Sequence, residues 1–203
     1  NKNMKKYLVI GNPIDHSLSP ILHNFWIKKN SIDAHYDKKE IQEKEIKDTI
    51  KKVKEDELDG INVTVPFKKS VIPYLDELTE EAKTSGSVNT IYKENNKIIG
   101  HNTDIGGFEL GLRYINYNIK GKKILILGAG GVSPSIILAL RKMEGAEILL
   151  SNRTKKKSDD LKNIFPYLKI IEWGEISEFD IVINSTRLGV NKNNEIIINF
   201  NKI

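Results

Sequence analysis

The stretch "KKILILGAGGVSPSIILALRKMEGAEILLSNRT", residues 122–154, allows few folds. Ile124–Leu127 is an unbroken apolar run, the pattern of a strand buried on both faces. Gly128-Ala129-Gly130-Gly131 ends it, a helix through Ser135–Lys142 follows, and Glu147–Ser151 reads as a second strand. Strand, tight turn, helix and strand in this order make a parallel unit, and such units build α/β sheets.

The rest of the chain alternates in the same way. Tyr7–Ile10 reads as a first strand, and "SPILHNFWIKKN" as a helix with Ser19 at its N-cap and Pro20 in its first turn. A short strand near Ala34–Asp37 is followed by a charged helix with Ile46, Ile50 and Val53 on one stripe. Ile61–Val65 is the next strand, with Ile61, Val63 and Val65 facing the core. Ser70–Lys83 reads as short helical pieces broken at Pro73. "SVNTIYKENNKIIGHN" reads as a hairpin turning at Asn95-Asn96, and Asp104–Tyr117 as a helix. After the βαβ unit come a helix following Thr154 and strands at Lys169–Glu172 and Ile181–Asn184. The reading is an α/β chain of two domains, residues 1–103 and 104–203.

Composition narrows the function classes. At 203 residues with 39% hydrophobic and 29% charged residues, this is the make-up of an ordinary globular protein. No apolar stretch approaches the roughly 18 residues that span a bilayer, and the expectation is a cytoplasmic protein without a membrane partner. There are no cysteines, hence no disulfide or thiolate chemistry. His16, His23, His35 and His101 lack ligand spacing, so no metal is expected. The net charge of +5 invites a nucleic-acid reading. However, the lysines of "KKEIQEKEIKDTIKKVKEDE" are interspersed with acids, as on a solvated helix, and no nucleic-acid partner is expected.

The glycine turn carries chemistry. Glycines between a strand and a helix let backbone N–H groups approach a pyrophosphate at the helix N-terminus. No Gly-Lys-Ser/Thr follows, which excludes a P-loop. The third glycine of G-x-G-x-x-G falls on Ser133, a small residue. An NAD site would place a carboxylate about 20 residues on. Here that place reads Ser151-Asn152-Arg153-Thr154, followed by Lys155–Lys157. Cations there suit a 2′-phosphate, so the cofactor expected is NADP(H).

The first half carries polar residues at strand ends. "GINVTVPFKKS" places Asn62 and Thr64 on one side of a strand, with Lys68 soon after. "GNPIDHSLSP" offers Ser17 and Ser19, "SVNT" offers Asn89, and "HNTD" offers Asn102, Thr103 and Asp104. Singly, each also reads as a cap, a turn former or a hairpin residue.

Taken in order, S-L-S-P, N-V-T-V-P-F-K, V-N-T, N-T-D, G-A-G-G and N-R-T over residues 17–154 resemble the shikimate dehydrogenase family, across essentially the whole chain. The resemblance implies a substrate domain and a Rossmann-like NADP-binding domain with a cleft between them. It implies NADPH-dependent reduction of 3-dehydroshikimate to shikimate in chorismate and aromatic amino-acid biosynthesis. Carried over, Ser17, Ser19, Asn62, Thr64, Lys68, Asn89 and Asp104 hold the substrate, with Lys68 and Asp104 as the catalytic pair. Gly128, Ala129, Gly130 and Gly131 hold the pyrophosphate, with Asn152, Arg153, Thr154 and Lys157 around the 2′-phosphate. The loop N-S-T-R-L-G at 184–189 resembles the family's N-A-T-S-x-G and adds Thr186, with Arg187 where a small residue is usual. Family members continue past "EIIINFNKI" with elements that return to the first domain, so a C-terminal part is expected to be missing. The partner is a small-molecule substrate, and the assembly a monomer or homodimer.

Reducing a ketone needs a hydride on carbon and a proton on oxygen, and a positioned acid speeds the proton step about 10²–10⁴-fold. Lys68 is expected to carry that step with Asp104 in support, although the residues alone leave open which is the proton-transfer group. Two neighbouring functions remain open: a quinate/shikimate dehydrogenase with relaxed cofactor choice, and a homologue that binds these ligands without reacting.

Overall fold

The computed structural model describes residues 4–175, 177–189 and 194–196. The end of the chain beyond Ile196, on which the expectation of a missing C-terminal part falls, lies outside the described residues. Contacts divide the chain into two units, Asn1–Thr103 and Asp104–Ile203.

In the first unit the chain runs β1 (Lys5–Gly11), α1 (Ser19–Lys29), β2 (Ala34–Glu40), α2 (Ile46–Lys54), β3 (Gly60–Val63), β4 (Glu77–Leu78), α3 (Glu80–Ser85), β5 (Thr90–Glu94) and β6 (Lys97–His101). The sheet order is β2-β1-β3-β5-β6-β4. β1, β2 and β3 are parallel, and β5 enters antiparallel to both β3 and β6. The period-2 pattern sorts the two faces. Ile10, Ile61, Val63 and Ile91 pack with Ile46, Ile50 and Val53 of α2, whose expected stripe is buried. Val9, Ile14 and Tyr36 pack on the opposite face with Ile27 of α1. Asn95 and Asn96 both have positive φ, 49° and 63°, and turn the β5–β6 hairpin as expected.

Three expectations are corrected here. The strand expected over Ile61–Val65 ends at Val63, and Val65 is 41% exposed rather than in the core. Pro66 lacks an N–H and restricts the residue before it, so pairing stops early. Ser19 is not an N-cap: the cap position is Leu18, with no side-chain cap bond. The Ser17 hydroxyl instead accepts the Ser19 N–H at 3.3 Å. Third, Pro73 lies inside a 3-10 turn, Ile72–Tyr74, and the two-residue strand β4 follows it.

The second unit runs α4 (Asp104–Tyr114), β7 (Lys123–Leu127), α5 (Ser133–Lys142), β8 (Glu147–Ser151), α6 (Lys155–Ile164), β9 (Lys169–Ile171) and β10 (Ile181–Asn184). Among the described residues its four strands are all parallel, in the order β10-β7-β8-β9. Ile124, Ile126, Ile148 and Leu150 pack against α5 and α6. Leu125, Leu127 and Leu149 form the other face with Ile171.

One buried carboxylate ties two helices of this unit. Glu109 on α4 accepts Lys142 Nζ of α5 and Arg113 of its own helix, both at 2.9 Å. The Lys142 and Arg113 hydrogen bonds hold its carboxyl below the usual carboxylate range. A lowered folded-state pKa gives stability that is full above the unfolded value, about 4.3, and is lost as pH falls through the lower folded value. Both cations are largely exposed, which screens the pairs. Glu109→Gln is therefore expected to cost about 1 kcal/mol at pH 7, the deficit shrinking in denaturant titrations as pH falls below the ordinary carboxylate range.

Candidate active site

Thr64 and the segment to Lys68 lie against the carboxyl end of β1. The Thr64 N–H donates to Ile10 O at 2.9 Å, and the Asn12 N–H donates to Val65 O at 3.1 Å. This approach requires glycine at 11, because a Cβ there would stand 2.6 Å from Thr64 Cγ2 and 3.0 Å from Val65 O. The Asn12–Pro13 and Val65–Pro66 bonds are both cis. Buried Phe67 anchors the turn, its N–H donating to Thr64 O at 3.0 Å. The Val88 N–H donates to Lys68 O at 2.8 Å, which places the half-buried Lys68 beside the residue preceding Asn89.

Asn62 and Asn89 are built into one hydrogen-bonded set. The Tyr36 hydroxyl donates to Asn62 Oδ1 at 2.7 Å. Asn62 Nδ2 donates to Asn89 O and to Thr90 Oγ1, each at 3.2 Å. Thr90 Oγ1 donates to Asn89 Oδ1 at 3.0 Å, and Asn89 Nδ2 donates to Thr103 Oγ1 at 2.8 Å. Thr103 returns its N–H to Asn89 Oδ1 at 3.0 Å. Asn102 is buried, with Nδ2 on Ser85 Oγ and Ser87 O at 3.0 Å, which is a structural use. Ser17 and Ser19 are half-buried in the loop after β1 and the first turn of α1. Lys68 belongs to the first unit, and Asp104 opens α4 in the second, where the helix dipole favours a carboxylate.

The second unit supplies a nucleotide turn. Gly128 has φ +104°, and a Cβ there would meet Thr186 Cγ2 at 2.8 Å and Ser185 Oγ at 2.9 Å. Its N–H donates to Ser151 O at 2.8 Å. The Ala129 N–H is taken by Asn152 Oδ1 at 3.1 Å, which joins the turn to the end of β8. A Cβ on Gly130 would meet open space, so the turn is uncovered there. Ser133, in the third glycine's place, donates its hydroxyl to Gly128 O at 2.9 Å. Ser133 Oγ also lies 3.0 Å from Ser185 Oγ. Thr186 donates its N–H and hydroxyl to Asn184 Oδ1 at 2.9 and 2.6 Å. Thr154 is the N-cap of α6, and the first turn of that helix holds no acid. Arg153, Thr154 and Lys157 are exposed. An open glycine turn beside exposed cations, without a carboxylate at the end of β8, suits a dinucleotide bearing a 2′-phosphate.

Sequence reasoning did not single out Tyr36, Thr90, or the Ser133–Ser185 pair. Tyr36 stands in "AHYDKKE", where polar residues alternate on both sides, and only the pairing of β2, β1 and β3 brings it near Asn62.

A substrate unit with a lysine at its strand ends and a unit with a nucleotide turn define a nucleotide-dependent α/β oxidoreductase. Residues 9–91 match the shikimate dehydrogenase substrate binding domain, and residues 109–199 match shikimate / quinate 5-dehydrogenase. The shikimate dehydrogenase (NADP(+)) of Pelagibacter ubique is 56% identical over 199 residues, covering 98% of this chain and 75% of the relative. The crystal structure of shikimate dehydrogenase from Aquifex aeolicus superposes with a TM-score of 0.92 at 40% identity, covering 100% of this chain and 76% of that one. A Thermus thermophilus shikimate 5-dehydrogenase in complex with NADP(H) and shikimate gives a TM-score of 0.83 at 31% identity, covering 92% and 70%. The chain belongs to the shikimate dehydrogenase family and is an NADP-dependent oxidoreductase.

Proposed function

We propose that this chain reduces 3-dehydroshikimate to shikimate with NADPH, reversibly, in aromatic amino-acid biosynthesis, using Lys68 for the proton step and Asp104 in support. The observation that carries the reading is Lys68, held by its main chain to Val88 and flanked by Thr64 and the Asn62–Asn89 set at one end of the sheet. The β7–α5 turn would hold NADPH, which when bound would supply the hydride for the substrate's carbonyl carbon. Lys68 supplies positive charge and a proton to the oxygen as the C=O bond becomes C–OH. Asp104 accepts a hydrogen bond from a ring hydroxyl and orients the substrate. Ser17, Ser19, Asn62, Thr64 and Asn89 bind the remaining hydroxyls and the carboxylate. Gly128, Ala129, Gly130 and Gly131 hold the pyrophosphate, Asn152, Arg153, Thr154 and Lys157 surround the 2′-phosphate, and Thr186 lines the nicotinamide side.

The deciding experiment follows NADPH and NADH absorbance with 3-dehydroshikimate and with 3-dehydroquinate. Turnover confined to NADPH and 3-dehydroshikimate is expected. Comparable rates with NADH and 3-dehydroquinate would move the chain to a quinate/shikimate dehydrogenase. Ligand binding without NADPH oxidation would make it a non-catalytic homologue.

A further inference from the structure

Tyr36 is only 4% exposed, yet its hydroxyl meets a side chain at the strand ends rather than a backbone carbonyl. Three contacts hold it in place. Its ring stacks on His23 of α1 with centroids 4.2 Å apart and planes 8° apart. Asn24 of the same helix clamps its backbone, Oδ1 accepting the Tyr36 N–H at 3.0 Å and Nδ2 donating to Tyr36 O at 2.7 Å. Burial pushes the phenol pKa up, so the hydroxyl stays a donor at every working pH.

Each link beyond Tyr36 has a forced polarity. Asn62 Oδ1 has no hydrogen, so Tyr36 must donate to it. Asn89 O is likewise an acceptor only, so Asn62 Nδ2 must face it. Thr90 then receives from Asn62 and can spend its single proton on Asn89 Oδ1. That leaves Asn89 Nδ2 toward Thr103. Side-chain donation runs Tyr36 to Asn62 to Thr90 to Asn89 to Thr103, and the Thr103 N–H donates back to Asn89 Oδ1. A flip of Asn62 would set its carbonyl against Asn89 O and turn the Thr90 proton back, so Asn89 Oδ1 would lose the Thr90 donor while keeping the Thr103 N–H.

We infer that the Tyr36 hydroxyl is a positioning group for substrate binding: it orients the Asn62 amide and, through Thr90, supplies one of the donors, beside the Thr103 N–H, that hold the amide of Asn89. This rests on the proposed role of Asn89 as a substrate ligand. Asn62 thereby also acts as a link, with Nδ2 on two protein acceptors and Oδ1 accepting Tyr36.

The test uses Tyr36→Phe, which keeps the ring, the His23 stack and the Asn24 clamp but loses the hydroxyl's hydrogen bonds with Asn62 and Ser19, whereas the Thr90 variants leave the Ser19 contact in place. Shikimate oxidation by NADP is measured for the 203-residue chain, Tyr36→Phe, Thr90→Val, Thr90→Ser and the Tyr36→Phe/Thr90→Val double variant. The KM for shikimate is expected to rise about tenfold in Tyr36→Phe and in Thr90→Val, with kcat within about threefold and KM for NADP unchanged. Thr90→Ser keeps the hydroxyl and should restore the wild-type KM. The double variant should be no worse than the poorer single one, because both break one chain. An unchanged shikimate KM, even with a lowered unfolding midpoint, would overturn the inference, as would additive effects. Absence of turnover in the wild-type chain would count against the catalytic reading instead. In that case the side-chain amide NMR signals of Asn62 and Asn89 decide: both should shift in Tyr36→Phe, and static signals would overturn the inference.

Discussion

Lys68→Ala is expected to lower kcat for shikimate oxidation by about 10²–10⁴-fold while changing the shikimate KM only modestly. In the proposed role the side chain acts on an oxygen whose charge changes in the transition state, so its loss would fall on kcat rather than on ground-state binding. Its main chain does a separate job, since Lys68 O accepts the Val88 N–H whatever the side chain is. The variant should therefore fold, and its circular dichroism and unfolding midpoint should match the wild type. Lys68→Arg keeps the charge but not a transferable proton, and should restore little of the rate. An alanine variant with kcat within about threefold of wild type would remove Lys68 from the proton step.

Replacing Arg153 with aspartate is expected to raise the KM for NADPH by about 100-fold and leave that for NADH unchanged or lower. Charge-assisted hydrogen bonds contribute about 1.5–3 kcal/mol each, and an introduced carboxylate adds repulsion of the 2′-phosphate. Arg153 is exposed, so wild-type affinity for NADPH should also weaken as ionic strength rises. Equal NADPH affinity in the variant would leave the 2′-phosphate to the lysines of α6 alone. Steady-state kinetics with both cofactors at two salt concentrations reads both effects.

Much of the fold was legible because its signals are periodic. Ile46, Ile50 and Val53 recur at helical spacing, and α2 buries them. Glu147–Ser151 and Ile181–Asn184 are observed with the boundaries expected. Short or local effects were not legible. β4 has two residues, too few to show a period. Ser17 and Ser19 are equally good capping types, and only geometry shows that Ser17 receives the N–H. The candidate site was legible as a set of residue types through the family resemblance. Its internal wiring was not, because Tyr36 reaches Asn62 across 26 positions and Asn89 reaches Thr103 across 14. Long-range pairs of this kind leave no mark in local pattern. The Ser133 hydroxyl was read only as a small side chain; in the folded protein it fastens the glycine turn.

The reversed direction of β5 has a practical consequence for altering this protein. In an antiparallel pair the two ends are functionally unlike. Asn89 and Thr103 sit where the hairpin opens, while Asn95 and Asn96 close it at the far end of the strands. Five residues of each strand separate that tip from the hydrogen-bonded asparagine. A peptide tag, a fluorophore or a longer connection grafted at the tip would ride on the sheet without reaching the reacting groups. One residue added to either strand would instead slip the pairing and carry Asn89 or Thr103 out of place.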